Sequence, residues 1–316
     1  MKMASSESPD TFMYLTQNFA ICRSTVPGCQ WTDAVEEVRV NDVGTSIDFF
    51  RLPTRGTDLH AKFCRYESIC NKESIIETIH DQLYELLGHH TEFKLASGTP
   101  RNMFLPNDPV TRNHFVPMIP SIRKVQFDGE DYELARIDEL VSISTCLEFF
   151  SWCKSPDRGL RKELWEIQFE KSSKVFELDT LDVLRVSPLA TDVMKYFNGR
   201  HAFVSCDTIT SQDAVQFLNA WESGETFCNL EVITIENVRF HMPDVRGCVE
   251  FKELDSAVEY SYIRKYFENS LPRAFRSSLY MVRQSDGRVA SVLLTLEKVS
   301  VGVWNMTENE FLEKFQ

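Results

Sequence analysis

The sequence lacks the features that mark secreted, membrane-spanning and zinc-stabilised proteins. No apolar run follows Met1, and no stretch approaches the roughly 20 apolar residues that cross a bilayer. The nine cysteines are an odd number and include no Cys-x-x-Cys pair, which argues against a disulfide framework and against a structural zinc site. We therefore expect a cytoplasmic or nuclear protein that is not secreted, with no membrane partner and with reduced, mostly buried thiols.

Basic clusters and phosphate-binding loops are missing as well. The formal net charge is −13, whereas nucleic-acid binding depends on clustered lysine and arginine. Walker, dinucleotide-binding and Gly-x-Ser-x-Gly patterns are absent. His89 and His90 are adjacent, so their side chains point in different directions and are poor joint metal ligands. Cys206, with His201 upstream, has no orienting group and is expected in the core. The sequence thus predicts no catalytic residue, no cofactor, no metal and no nucleic-acid partner.

The chain does contain a recurring order of amphipathic helix, short polar link and short strand. Helices are predicted at Lys72–Leu87, Asp131–Ile143 and Leu189–Phe197, and from an N-cap at Ser211 to a stop at Gly224. Strands are predicted at Thr91–Ala96, Ser121–Phe127, Cys146–Trp152, Leu184–Val186, His201–Ser205 and Leu230–Ile235. The segment Leu160–Phe169 fits either element. Trp221 lies on the apolar face of the last helix, which predicts a core position for its indole.

The predicted strands follow one another at intervals of roughly 20–35 residues, a range typical of strand–helix solenoids. The fold class predicted is therefore α/β, as a leucine-rich-repeat-like strand–helix solenoid. A compact doubly wound α/β sheet is the alternative, because alternating strands and helices also suit that fold.

The C-terminal part changes character. A helix is predicted around Ser256–Glu268, followed by strands at Ser277–Arg283, Arg288–Leu296 and Val299–Trp304. Asp286-Gly287 supplies the positive φ angle that a tight hairpin needs. These strands predict an antiparallel β-hairpin cap, which would cover the last open edge of the sheet. Arg283 and Arg288 flank the turn and are candidates to contact an acidic partner.

Four regions are expected from these patterns. Residues 1–10 form a disordered tail, and residues 11–70 form an N-terminal region. Residues 71–245 hold the leucine-rich-repeat-like units, and residues 246–316 form the C-terminal helix and hairpin cap.

Two stretches resemble the nematode F-box-associated family, type 2, whose domain follows an F-box. The first lies within residues 178–240 and combines a helix, a glycine and a strand through Phe217, Leu218, Trp221, Gly224 and Leu230. The second is a closing hairpin and a terminal aromatic strand, with Arg283, Asp286, Gly287, Ala290 and Trp304. Looser similarity extends back to Lys72. The resemblance implies mainly structural roles for these ten residues.

The resemblance implies a non-catalytic protein–protein recognition module that serves as the substrate-binding part of a cullin-type ubiquitin ligase receptor. Its target protein and binding surface are not identified by the sequence. Residues 1–60 contain no recognisable F-box, because Leu52-Pro53 is followed by a turn and Glu36–Phe50 predicts two short strands. The Skp adaptor is therefore expected as a partner only if a divergent F-box is present. One alternative is an F-box-less scaffold or competitor that binds targets without ubiquitination. Another is a divergent α/β enzyme.

Overall fold

A computed structural model of the chain describes residues 11–15, 20–23, 36–40, 43–51, 62–65, 77, 80–81, 92–97, 118–128, 134–153, 169–184, 186–206, 209–236, 242–264 and 272–316. The chain divides into two compact units, Met1–Leu147 and Glu148–Gln316. This boundary lies inside the predicted repeat region 71–245, and the predicted boundary at 246 lies within the second unit. The predicted tail, residues 1–10, lies outside the described residues.

The described part of the first unit contains strands in two sheets, one helix with described bounds and three further helical residues. Its elements are β1 (Thr11–Leu15), β2 (Ala20–Arg23), β3 (Glu36–Val40), β4 (Val43–Arg51), β5 (Lys62–Arg65), β6 (Glu92–Ser97), β7 (Lys124–Asp128) and α1 (Leu134–Ile143). Strands β7, β6 and β1 are parallel neighbours in that order, and β2 joins β1 antiparallel. Strands β3, β4 and β5 form an antiparallel sheet. The two strands predicted within Glu36–Phe50 are confirmed, and so are the strands predicted near β6 and β7.

Only residues 77, 80 and 81 of the predicted helix Lys72–Leu87 are described, and all three are helical. Helix α1 confirms the helix predicted at Asp131–Ile143, with residues 129–133 outside the described part.

The second unit consists of strands and short helices in alternation, followed by a run of long strands. Its elements are β8 (Phe149–Cys153), a 3₁₀ turn (Lys174–Glu177), β9 (Thr180–Leu184), α2 (Ser187–Tyr196), β10 (His201–Ser205), α3 (Ser211–Ser223), β11 (Val232–Glu236), α4 (Met242–Cys248), β12 (Lys252–Ile263), β13 (Pro272–Val282), β14 (Arg288–Leu294), β15 (Lys298–Thr307) and α5 (Glu308–Phe315).

The strands of this unit form one mixed sheet in the order β12-β13-β14-β15-β11-β10-β9-β8. Strands β8, β9, β10 and β11 are parallel and adjacent in chain order. Strand β15 pairs antiparallel with β11, and β14, β13 and β12 continue outwards as antiparallel neighbours. The predictions of an α/β fold and of C-terminal antiparallel strands beside the parallel ones are confirmed.

The two faces of the parallel strands differ in chemistry. Alternate residues on one face are apolar and buried: Leu181, Val183, Ala202, Val204, Ile233 and Ile235. Helix α2 packs against β9 and β10. The opposite face carries buried polar residues, including Ser151, Asp182 and Thr234. Period-two alternation thus separates an apolar face from a mixed one, on which buried Phe203 and Val232 lie beside these polar residues.

Helix α3 shows how a predicted element is fixed locally. Thr210 accepts a hydrogen bond from the Asp213 amide and Asp213 accepts one from the Thr210 amide, which forms a capping box. The N-cap is therefore Thr210, and the prediction of Ser211 is wrong by one residue. Gly224 ends the helix with φ 79°. The Trp221 side chain is fully buried, so its predicted core position is confirmed.

The predicted helix around Ser256–Glu268 is wrong, because this segment lies in β12 as far as Ile263. Leu254, Val258 and Tyr260 are buried, while the residues between them are exposed. Pairing with β13, for example Tyr260 opposite Phe275, outweighs a weak helical pattern. Residues 265–271 are outside the described part.

Three other expectations for the second unit are met only in part. The strand predicted at Leu184–Val186 lies earlier, as β9. Most of Leu160–Phe169 lies outside the described residues. Of the five cysteines whose burial is described, Cys206 is buried as expected, but Cys228 and Cys248 are exposed. The expectation of mostly buried thiols is therefore wrong for these cysteines, because Cys228 follows the end of α3 and Cys248 is the last residue of α4, both at the surface.

Candidate functional site

The two sequence stretches that carry the family resemblance meet in the folded chain. The Arg283 guanidinium carbon lies 5.5 Å from the centre of the Trp221 ring. The Gln284 amide donates a 2.7 Å hydrogen bond to the Glu222 carbonyl. The turn between β13 and β14 is thus held against the C-terminal end of α3. We call this group (Trp221, Gly224, Arg283 and Asp286) the turn–helix cluster.

Arg283 is the centre of the cluster and is only 2% exposed. Its Nε and Nη2 donate to the two carboxylate oxygens of Asp286 at 2.9 and 2.6 Å. Its Nη1 donates to the carbonyls of Phe227 and Cys228, both at 3.3 Å. Hydrogen bonding from Arg283 lowers the pKa of Asp286. A buried guanidinium satisfied in this way cannot reach a partner, so the prediction that Arg283 contacts one is wrong.

Two glycines are required here. Gly224 of the cluster is required by a close approach, and Gly287 is required by the adjoining turn. A Cβ on Gly224 would lie 2.0 Å from the Ser285 hydroxyl oxygen, which is far inside van der Waals contact. Gly287 has φ 72°, as the predicted hairpin turn requires. The Arg288 side chain is half exposed and lies 3.3 Å from Asp286.

The remaining motif residues pack in the core of the same unit. Phe217, Leu218, Leu230 and Ala290 are buried. Trp304 is half buried, and its indole nitrogen donates to the Ser291 hydroxyl at 2.8 Å. All ten motif positions therefore occupy packing, capping or turn sites; among them, Asp286 is exposed in the turn and Trp304 is half buried.

An open cleft of about 810 Å³ lies where β9, β10 and β11 begin. We call it the strand-start cleft. Its lining is mostly polar and includes Glu177, Asp179, Asn198, Arg200, Asn229, Glu231, Tyr260, Arg288, Trp304 and Asn305. The aromatic rings of Tyr260 and Trp304 pack edge to face, with their centres 5.0 Å apart. The cleft therefore combines an aromatic wall with charged and amide groups.

Three charged residues form a row along this cleft because each one directly precedes a parallel strand. The Arg200 amide donates to the Asp179 carbonyl at 2.9 Å, and the Glu231 amide donates to the Arg200 carbonyl at 2.8 Å. The Arg200 side chain lies between the two carboxylates, with Nη2 2.6 Å from Glu231 and Nη1 3.5 Å from Asp179. Hydrogen bonding to Glu231 raises the pKa of Arg200. We call Asp179, Arg200 and Glu231 the strand-start row.

Behind the row, a hydroxyl, an imidazole and a carboxylate stand in sequence. His201 Nδ1 lies 3.2 Å from the Thr180 hydroxyl, and Nε2 lies 3.2 Å from Glu231. This order resembles a nucleophile, a base and an orienting acid. Thr180, however, is 2% exposed and neither Thr180 nor His201 lines the cleft, so a substrate in the cleft has no access to the hydroxyl. The geometry fits a satisfied buried network.

Asp182, on the mixed face of the sheet, is a carboxylate whose pKa is raised well above its ordinary value. It is fully buried, and burial raises its pKa to about 6, although Arg264 opposes the rise. The Arg264 Nη2 lies 3.2 Å from Asp182 Oδ1, and the guanidinium lies 4.1 Å from the centre of the Phe203 ring. Because Arg264 covers it, Asp182 is a partner in a buried ion pair rather than a group open to a substrate.

Sequence reasoning missed the strand-start row, although one signal was present. A charged residue directly precedes the strands that begin with Thr180, His201 and Val232. Only the parallel register brings these three side chains together. Among the residues that the structure describes, no group of three or more His, Cys, Asp and Glu side chains has the geometry to hold a metal ion. No described helix is long and apolar enough to cross a membrane.

Comparison with known proteins adds no relative. No family model, no curated protein and no solved structure matches the chain.

Proposed function

We propose that this chain is a non-catalytic protein-recognition module, built as a leucine-rich-repeat-like arc of strand–helix units and closed by antiparallel strands. The observation that carries the proposal is the order of β8, β9, β10 and β11, which are parallel neighbours in the order of the chain. Stacking of successive units is the way in which solenoids bury their core and build extended binding surfaces. A doubly wound sheet reverses its strand order, and these four strands show no reversal.

Equivalent residues in successive units support the repeat interpretation. Phe176, Phe197 and Phe227 are all buried, and each lies four or five residues ahead of its strand. The loops that they anchor are linked in series, because the Asn198 amide donates to the Phe176 carbonyl at 2.7 Å and the Asn229 side chain donates to the Asn198 carbonyl at 3.0 Å. These two bonds join the three loops in chain order, which supports the repeat interpretation.

The strand-start cleft is the surface that we propose for target binding. Its charged and amide side chains are held at fixed positions by the row and its backbone hydrogen bonds, so they are pre-organised for a partner. Trp304 adds aromatic area, which is enriched in binding hot spots. Binding there requires no cofactor and no covalent step.

A ubiquitin-ligase role is part of this proposal, and its support is the sequence resemblance to the F-box-associated family. If a divergent F-box is present, the chain delivers its target through the Skp adaptor; without one it is a scaffold or competitor. Calorimetry with the purified adaptor separates the two roles. Micromolar or tighter binding by the folded chain supports delivery, and absence of binding supports the scaffold.

The recognition function is tested by cross-linking capture of partners with the purified full chain, followed by calorimetry with each partner obtained. A variant that combines Glu177→Lys with Asn305→Ala changes two exposed cleft residues. Glu313→Lys, on the exposed side of α5, is the matched control. We expect the cleft variant to lose at least tenfold in affinity while the control binds normally. Equal binding by all three proteins would remove the cleft from the proposal.

A further inference from the structure

Strand β12 lies at the end of the sheet in the second unit, with β13 on one side. No described residue pairs with its other side. The strand has 12 residues, about twice the usual strand length. Native proteins generally protect an edge of this kind with short strands, prolines, charges or bulges, since unpaired N–H and C=O groups accept another strand.

Most of this protection lies in the first half of β12, and Glu259 is the one charged residue of the second half. The register with β13 shifts between Glu253 and Val258, which is a bulge-type irregularity. From Val258 to Ile263 the pairing is regular, residue by residue. This six-residue stretch contains no proline and no lysine, and Ile263 is 50% exposed. We call Val258–Ile263 the open edge.

The open edge is held firmly enough to serve as a template. Tyr260 donates to the carbonyls of Glu231 and Val303 at 2.9 and 3.2 Å. Its ring packs in a buried cluster with Phe203, Val232 and Phe275. Because this side of the strand is anchored in the core, β12 is ordered before binding. The binding of a partner strand therefore costs little conformational entropy in β12.

The charge beside the open edge favours one kind of partner. Glu253, Asp255 and Glu259 are exposed carboxylates on this strand, and the exposed Arg276 of β13 is the residue opposite Glu259. The one lysine of β12, Lys252, is bound by Glu308 at 2.8 Å. A second copy of the chain would present the same acidic strand and would carry the same net charge of −13, so the two copies would repel each other. An extended segment with lysine or arginine is complementary.

We propose that the open edge binds an extended basic segment of the target protein, which adds one strand to the sheet. Backbone hydrogen bonds supply the affinity, and Asp255 and Glu259 select for positive charge. This inference rests on the proposed recognition function and names the chemistry of the partner.

The test uses the full chain and a labelled peptide probe, acetyl-Lys-Val-Arg-Val-Lys-Val-Arg-amide, in fluorescence anisotropy. A second probe has the same side chains but is N-methylated at alternate backbone nitrogens, so it keeps the charge and cannot form a strand ladder. A third probe replaces each basic residue with glutamate. We expect saturable binding of the first probe, with at least tenfold weaker binding of the other two. Equal binding of the N-methylated probe would show simple charge attraction and would overturn the proposal.

Variants locate the site. Glu259→Lys should weaken the basic probe at least tenfold and should bind the glutamate probe better than the wild-type chain does. Glu313→Lys makes the same charge change on α5 and should bind like the wild type. Circular dichroism confirms that both variants are folded. Peptide-dependent protection of the Val258–Ile263 amides in hydrogen exchange is expected, and protection elsewhere only would refute the site.

Failure here is distinguishable from failure of the recognition function. A captured target that binds Glu259→Lys normally would leave the recognition function in place and reject the open edge. A basic probe that binds when no protein target is found would support the open edge and would reject the recognition function.

Discussion

The buried pair of Asp182 and Arg264 predicts how the stability of the second unit depends on pH. The ordinary pKa of an aspartate side chain is 3.8, and burial raises the pKa of Asp182 in the folded chain to about 6. Arg264, Ser151 and Arg273 act in the opposite direction, and Glu236 adds to the rise. The folded chain therefore binds the Asp182 proton more tightly than the unfolded chain does.

The sign of the effect follows from this difference. The stabilising contribution of Asp182 is complete below pH 3.8 and is lost as the pH rises through about 6. A pKa difference of about two corresponds to about 3 kcal/mol, of which about 2 kcal/mol falls between pH 4.5 and 7.5. The wild-type free energy of unfolding should thus fall across this range by about 2 kcal/mol relative to a chain that cannot ionise at position 182.

Asp182→Asn provides that reference, because asparagine keeps the shape and an acceptor for Arg264. The free energies of unfolding of both chains are measured by urea denaturation at pH 4.5, 6.0 and 7.5, with tryptophan fluorescence as the readout. Their difference removes the contributions of the other titrating groups. Asp255→Asn makes the same substitution at an exposed carboxylate of the same unit and is the control for the exchange itself. A constant difference for Asp182→Asn would refute the inferred rise in pKa.

Three further substitutions test the packing. Trp221→Ala should lower the free energy of unfolding by roughly 3–5 kcal/mol, because it empties a fully buried site; near-wild-type thermal melting would contradict the core assignment. Gly287→Val should lower the melting temperature because valine resists φ 72°, whereas Gly247→Val, with open space around it, should not; similar melting of the two variants would remove the conformational requirement for glycine in the turn. Gly302→Ala should cost about 1–3 kcal/mol in urea denaturation, since the new Cβ would lie 2.3 Å from the Tyr260 ring, and an unchanged midpoint would exclude that contact.

Local patterns are sufficient to predict the elements whose signals agree with their tertiary role. Helix α3 has a cap, an apolar face and a terminal glycine, and the structure differs from the prediction only at the N-cap. The hairpin around Asp286-Gly287 is predictable because a positive φ leaves few choices of residue. The strand His201–Ser205 is predicted with its observed bounds.

Tertiary pairing decides the elements that local patterns do not predict. Strand β12 resembles a helix in sequence because its bulge breaks the period-two pattern, and only pairing with β13 makes the segment extended. The open edge cannot be found until β12 is known to be the last strand. The partners of Arg283 also depend on the fold, since Phe227 and Cys228 are more than 50 residues away in the chain.

The residues of the candidate site also divide into those that a local pattern predicts and those that only the tertiary fold brings together. The motif residues Trp221, Gly224, Arg283 and Asp286 are recognisable in the sequence, and the structure explains them by packing and turn geometry. The strand-start row is not recognisable, because Asp179, Arg200 and Glu231 share no motif and meet only through the parallel register.

The measurement that tests the central claim most directly is calorimetry with a partner captured by the full chain, combined with intact-mass spectrometry of both proteins after incubation. The account predicts saturable binding at micromolar affinity or tighter, with the mass of each protein unchanged and with weaker binding by the cleft variant. A folded chain that retains no partner, or a partner whose covalent structure changes on incubation, would contradict a non-catalytic recognition module.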